Sequence, residues 1–523
     1  MINLIYIMSK PENLLNLILT SRVYEVIYPT ALEKADDLSL KLNTSVFIKR
    51  EDTTPVHSFK IRGAYNKMAN LSEKERNRGV ICASAGNHAQ GVALSAKKLG
   101  IKATIVMPVT TPKIKVDAVR KYGAKVILHG DNYSDAGLYA HELQKQLNLT
   151  YIHPFDDNLV MAGQGTIAKE ILDNLPNVTH IFVPVGGGGL LAGIIGYIKS
   201  LKPSVKVVGV EPEDSNCLSA ALKASKPVSL NHVGIFADGV AVKQIGDETF
   251  KIIKDGVDEV ITIDNDQICG AIKQIFIETR TVTEPAGALS LAGLIEFSKK
   301  HKFKQSDNPV AVISGANISF ERLQFIAERT MLGSGQELLL KIKLNERPGS
   351  LKKLLKDVIK KNNITEFSYR KDDSTEASIL VGVQVSSQKD AESFKNLLVK
   401  FNYQFEDLSK NELAITHLRH MSGGGNLQPI ITEGSKEYFL DCNFPERPGA
   451  LSDFLSRMNS NWNISLFHYR GLGGDTGKVL LGIEVPADDK KVFNKFTESL
   501  NGEGFGVVPA FLNLKLIDQH KRQ

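Results

Sequence analysis

Up to about Leu332, short runs rich in β-branched residues alternate with longer stretches whose apolar residues recur every three or four positions. Residues 46–49, 80–83, 103–107, 125–128, 181–185, 205–210 and 310–313 read as strands. Residues 61–71, 90–99 and 190–201 carry the helical period. Strands alternating with helices predict an α/β fold, a mostly parallel sheet covered on both faces. Ligands of such sheets sit in the crevice at the carboxyl ends of the strands. Residues that immediately follow a strand are therefore the first candidates for chemistry.

After Leu332 the pattern changes. Gly333-Ser334-Gly335 reads as a linker, and a duplication follows it: Glu346-Arg347-Pro348-Gly349 returns as Glu446-Arg447-Pro448-Gly449, 100 residues later without a gap. Between 346–370 and 446–470, 11 of 25 positions are identical, far above chance, so this is a repeated domain. Each copy reads strand, Pro-Gly turn, helix, strand, strand (338–344, 351–359, 364–369 and 378–385 in the first), a small α+β sandwich. The expected organisation is 1–332 with two α/β lobes, a linker at 333–335, small domains at 336–410 and 435–515, and a connecting segment at 411–434.

Composition narrows the function classes. The chain has 523 residues, more than one core organises, and its 42% hydrophobic and 23% charged content is that of an ordinary globular protein. The formal charge of +6 is spread along the chain, without the basic face of a nucleic-acid reader. No apolar run is long enough to span a membrane, so neither nucleic acid nor membrane is an expected partner. The apolar stretch 2–7 lacks the flanks of a signal peptide, and Met1 and Met8 are both available as starts. Cys82, Cys217, Cys269 and Cys442 are scattered, with no metal-ligand spacing, which points to a reducing cytoplasm.

Four segments carry candidate chemistry. Ser58-Phe59-Lys60-Ile61-Arg62-Gly63 follows a strand and opens a helix, with Ser58 in place for the N-cap. Lys60 then lies in the first helical turn, where the helix dipole and burial both disfavour an ammonium and favour a nucleophilic amine. A lone lysine on a helix is most often solvated; its neighbours change that reading. Ser84-Ala85-Gly86-Asn87 follows the strand 80–83, and its small residues let backbone amides converge on a carboxylate. His88 beside it reads as structural. Gly186-Gly187-Gly188-Gly189-Leu190, between a buried strand and an apolar helix, has the freedom to wrap a phosphate. Its spacing matches neither the dinucleotide nor the nucleoside-triphosphate motif. A side chain on Gly187 is expected to intrude where the phosphate approaches. Ser314, ending the strand 310–313, places a hydroxyl at the same crevice.

Together these segments resemble the fold-type II pyridoxal-5'-phosphate enzymes, and within them the biosynthetic threonine dehydratases. The resemblance also rests on Lys49-Arg50-Glu51-Asp52, on Pro55 to Gly63, on Glu284-Pro285-Ala286-Gly287-Ala288 and on the paired repeats, which are similar to ACT-like regulatory domains. It implies that Lys60 holds pyridoxal 5'-phosphate and acts as the base at Cα, with Phe59 beside it. Asn87 contacts the phenolic oxygen, Gly186 to Leu190 hold the phosphate, and Ser314 meets the ring nitrogen. Ser84, Ala85, Gly86 and Asn87 bind the substrate carboxylate. It further implies L-threonine as substrate, with L-serine open as a second one, and 2-oxobutanoate and ammonia as products. L-Isoleucine and L-valine are the implied effectors of a homotetramer. Tyr369, Arg370, Tyr469 and Arg470 are the candidate effector residues, placed where two sandwiches face one another; a surface ion pair explains the arginines equally well. No metal is expected: related serine racemases carry an acidic residue six positions after a Glu, and here Cys217 follows Glu211 at that spacing. A β-replacing synthase and a non-catalytic amino-acid sensor stay open as alternatives.

Overall fold

The computed structural model describes residues 11–509 except 110, 131–132, 232, 235, 321, 324–325, 328, 331–335, 346, 348, 360–361, 371–375, 410–433, 446–449, 471–475 and 502–507. The two candidate starts, the 333–335 linker, nearly all of 411–434 and the second Glu-Arg-Pro-Gly turn lie outside the described residues. Two compact units result, Met1–Thr330 and Met331–Gln523.

In the first unit the strands are Leu32–Lys34 (β1), Phe47–Arg50 (β2), Val80–Ala83 (β3), Ala103–Met107 (β4), Lys125–Leu128 (β5), Thr150–Tyr151 (β6), His180–Pro184 (β7), Lys206–Pro212 (β8), Glu259–Ile263 (β9) and Pro309–Ile313 (β10). They form a sheet of order β1-β2-β10-β7-β8-β9 and a smaller one of order β5-β4-β3-β6. Pairings are parallel except that of β1 with β2. Parallel strands need helical crossovers that cover both faces, which is why β3, β7 and β10 are buried at every position. Three neighbours in the larger sheet, β2, β10 and β7, run directly toward the Lys60 segment, Ser314 and the glycine loop. The candidate residues are gathered by strand order.

Among its described residues, the second unit has one antiparallel sheet of eight strands, with helices between them. Its first copy supplies Glu337–Asn345 (β11), Ile364–Arg370 (β12), Glu376–Gln384 (β13) and Phe405–Asp407 (β14). The second supplies Ser435–Pro445 (β15), Asn463–Arg470 (β16), Thr476–Pro486 (β17) and Val508–Pro509 (β18). The copies join edge to edge where β12 pairs with β16, in the order β14-β11-β13-β12-β16-β17-β15-β18. This differs from two sandwiches facing each other. Tyr369 lies opposite Phe467, and Phe367 opposite Tyr469, as an approximate two-fold axis through the seam requires. The two phenylalanines meet edge to face with centroids 5.4 Å apart. Both tyrosines are buried in an apolar core that runs through both copies. Arg370 and Arg470 are the last residues of β12 and β16.

Candidate active site

A cavity of about 950 Å³ opens at the carboxyl ends of β2, β3, β7 and β10, lined by Phe59, Lys60, Ser84 to Asn87, Gly186 to Leu190 and Ser314. These segments, separated by up to 255 positions in sequence, share one space.

Lys60 is the first residue of the helix Lys60–Ala69. The cap position is taken by Phe59, not Ser58, and no side chain caps it. Ser58 is instead held by its backbone: its amide donates to Thr54 Oγ1 (2.9 Å), and it bridges to Gly315. The Phe59 amide donates to the Ser314 carbonyl (3.1 Å), tying the lysine segment to the end of β10. Deeper in, Arg62 enters a buried ion cluster. It donates to both oxygens of Glu51 (2.7 and 2.8 Å) and both of Glu170 (2.6 and 2.9 Å), while Lys49 pairs with Glu170 at 2.6 Å. Two cations and two anions balance, which is the condition under which buried charges persist. The Lys49-Arg50-Glu51-Asp52 motif thus clamps the helix that carries Lys60.

The Lys60 amine donates to the Pro154 carbonyl (3.3 Å). Burial pushes it down to about 8, with the Glu284 carboxylate acting in the opposite sense. His88, on the helix Asn87–Leu99, binds the Ile152 carbonyl through Nε2 (2.8 Å) and is pushed down to about 3 by burial. It remains neutral and structural.

The glycine loop is turned so that its carbonyls face away from the cavity. The Gly186 carbonyl accepts from Cys217 Sγ (3.4 Å), and the Gly187 carbonyl accepts from Thr249 Oγ1 (2.8 Å) and the Gly246 amide (3.2 Å). In a planar trans peptide the N–H points opposite the carbonyl, so the amides of Gly187 and Gly188 face the cavity. They join the N-terminus of the helix Gly189–Leu201. Among the described hydrogen bonds, none is donated by the amides of Gly187, Gly188 or Gly189. Gly188 has φ +91°, which a side chain resists. A Cβ on Gly187 would meet the Phe155 ring, which lines the same cavity, at 2.3 Å. Cys217 opens the helix Cys217–Ala224, whose first amides are capped by Glu211 through Leu218 N (2.7 Å) and Ser219 N (2.9 Å).

Unpartnered amides at a helix N-terminus, a half-buried lysine and a strand-end hydroxyl fit a phosphorylated aldehyde cofactor: a cradle for the phosphate, a nucleophile for the aldehyde and a partner for the ring nitrogen. The pyridoxal-phosphate dependent enzyme family matches residues 23–315. The C-terminal regulatory domain of threonine dehydratase matches 328–418 and 431–509. L-threonine dehydratase biosynthetic IlvA of Pasteurella multocida is 49% identical over 93% of this chain and 94% of its own. The chain belongs to the biosynthetic threonine dehydratases. The IlvA enzyme of Escherichia coli is 47% identical over 90% of both chains. The structure of the processed form of threonine deaminase isoform 2 from Solanum lycopersicum aligns with a TM-score of 0.60 and 45% identity, covering 61% of this chain and 93% of that one. Like the family, this threonine dehydratase is a pyridoxal-phosphate-dependent lyase with the fold-type II core and a C-terminal regulatory region.

Sequence reasoning missed several residues on the cavity wall: Lys115, His153, Phe155, Asp238 and Glu284. Glu284 begins the Glu284-Pro285-Ala286-Gly287-Ala288 motif, which carried the resemblance but no chemistry. Its carboxyl is pushed up from 4.5 to about 7, mainly by burial, with Asp238 adding to the shift and a hydrogen bond from Asn87 opposing it. A folded-state value above the unfolded one favours the protonated group. The resulting stability is fully present below pH 4.5 and is lost as pH rises through about 7. In unfolding curves of cofactor-free full-length protein, the wild type should therefore lose stability on the order of 3 kcal/mol relative to Glu284→Gln between pH 4.5 and 8. Parallel pH profiles for the two proteins would show that Glu284 does not titrate in this window.

Proposed function

We propose that the enzyme converts L-threonine to 2-oxobutanoate and ammonia in the cytoplasm, as the first step of isoleucine biosynthesis. The observation that carries the reading is the meeting of the Lys60 amine with the inward-facing amides of the glycine loop at one cavity. When bound, pyridoxal phosphate supplies the electron sink that labilises the Cα–H bond and the β-hydroxyl. Lys60 Nζ holds the cofactor and, once free, takes the Cα proton. The Gly186 to Leu190 amides would hold the phosphate, and Ser314 Oγ, 3.2 Å from the Ala286 carbonyl, would turn its one hydrogen to the ring nitrogen. Ser84 to Asn87 receive the substrate carboxylate at a helix N-terminus, and Asn87 donates to the phenolic oxygen. A hydroxyl cannot hold a ring proton as a carboxylate does, which weakens the sink and favours prompt loss of the β-hydroxyl over transamination. The test is a product assay with L-threonine, with L-serine, and with L-serine plus a thiol. Thioether formation would favour a β-replacing synthase. Absence of turnover and of the visible absorption band would favour a sensor.

The regulatory part of the proposal is that the second unit binds L-isoleucine, which inhibits, and L-valine, which opposes it, within a homotetramer. A cavity of about 160 Å³ lined by both copies supports it: Leu351, Tyr369, Leu455, Met458, Trp462 and Ile464 suit a branched aliphatic side chain, and Arg347 adds a positive charge. Isoleucine should make the threonine dependence sigmoidal, since inhibition requires unequal affinity for two states. A chain ending at Leu332 should lose isoleucine sensitivity if it remains soluble. Hyperbolic kinetics that ignore millimolar isoleucine would leave the repeats with a structural role.

A further inference from the structure

Asn87 is flanked on both sides by polar side chains, and their order has one direction. Asn317 Nδ2 donates to the Val56 carbonyl at 2.8 Å and to Asn87 Oδ1 at 2.6 Å. A backbone carbonyl can only accept, so the Asn317 amide can be placed one way, with its nitrogen toward Val56 and Asn87. Asn87 Oδ1 is thereby the acceptor, and Asn87 Nδ2 is turned toward Glu284 Oε1, to which it donates at 2.6 Å. One Nδ2 hydrogen is committed to Glu284. The other remains for the cavity that Asn87 lines.

The carboxylate is itself confined. It is 4% exposed, and an added Cβ on Gly315 would stand 2.5 Å from Glu284 Oε1. On the other side a Cβ on Gly239 would meet Ala286 Cβ at 2.8 Å and lie 3.5 Å from the same oxygen. Backbone on both sides leaves Glu284 little room to turn away from Asn87.

We propose that Glu284 and Asn317 are positioning residues that lock the Asn87 amide so that one Nδ2 hydrogen always points at the phenolic oxygen of the cofactor. The proposal rests on the reading of Asn87 as the donor to that oxygen. A freely rotating asparagine would present its carbonyl half the time, and a carbonyl repels a phenolate. The relay removes that state. It starts at Val56, on the segment leading to Lys60, so the donor and the lysine are registered to each other by one chain of contacts. Glu284 contributes as an acceptor, and any group with an oxygen in the same place serves.

The test compares holoenzymes through the visible absorption of the lysine-bound cofactor and its dissociation constant. Asn87→Ala sets the scale, because it removes the donor outright. Glu284→Ala and Asn317→Ala are expected to shift the band in the same direction and to weaken cofactor binding roughly tenfold, the effect of freeing one positioned donor. Glu284→Gln, which keeps an acceptor oxygen, is expected to restore the band. A merely structural role would lower Tm and leave the band in place. If Asn87→Ala shifts the band but neither Glu284→Ala nor Asn317→Ala does, the relay is overturned and the reading of Asn87 stands. If Asn87→Ala leaves the band unmoved, the reading of Asn87 falls and the relay with it. The Asn317 arm decides the question if Glu284→Ala fails to fold.

Discussion

Lys60→Ala is expected to lower threonine turnover by at least about 10³-fold, because in the proposed mechanism one nitrogen serves as both cofactor anchor and base. The structure supplies the physical reasons. The amine lies at the first residue of its helix, where the dipole opposes an ammonium, and burial brings it to about 8, so a useful fraction is neutral near pH 7. The ion cluster of Arg62, Glu51, Glu170 and Lys49 holds the helix in place without contributing to the chemistry. Lys60→Arg should not rescue, since a guanidinium stays protonated and cannot form the covalent link. Rates of 2-oxo acid release and the visible spectrum check both variants. Wild-type turnover in the alanine variant would remove Lys60 from the mechanism.

Gly187→Val is expected to weaken cofactor binding by about 10- to 100-fold, the cost of overpacking a close contact. The collision is with the Phe155 ring, 2.3 Å from the new Cβ, so either the ring or the loop must move. Moving the loop disturbs the hydrogen bonds from Thr249, Gly246 and Cys217 that turn its amides inward. Truncating the ring as well, in Gly187→Val with Phe155→Ala, should recover part of the affinity. Equilibrium dialysis against pyridoxal phosphate measures both. An unchanged dissociation constant for Gly187→Val would mean that these glycines do not cradle the phosphate.

The strands that carry the site were legible because parallel burial makes them continuous apolar runs: β3, β7 and β10 are apolar and buried at nearly every position. Strands outside that regime were harder to see. Leu32–Lys34 is a half-exposed antiparallel edge, and Thr150–Tyr151 is too short to show a period. Glu259–Ile263 does alternate, and its signal was there to be read. The glycine loop and the lysine segment stood out by composition. Glu284, Phe155 and Asp238 did not, because a single acidic or aromatic residue between or at the ends of elements has no local mark until distant strands bring it to the cavity. Ser58 shows the limit of capping rules: its sequence position suits a cap, but tertiary contact with Gly315 decides its conformation. The duplication was plain from identities, yet whether copies meet by face or by edge depends on pairing that no single copy encodes.

The seam between β12 and β16 bears on how sensing modules pass between enzymes. Among the described residues, the outer strands of the sheet are short, three residues in β14 and two in β18. A single copy cut from the pair would expose the five residues of β12 or of β16 that pair across the seam, backbone that leads to apolar core. Such a fragment would pair with itself or precipitate before it could report on an amino acid. The heritable unit is therefore the pair. Gene fusions that graft this kind of control onto another catalytic core should carry both copies, and designs that shorten it to one need a new, charged edge strand first.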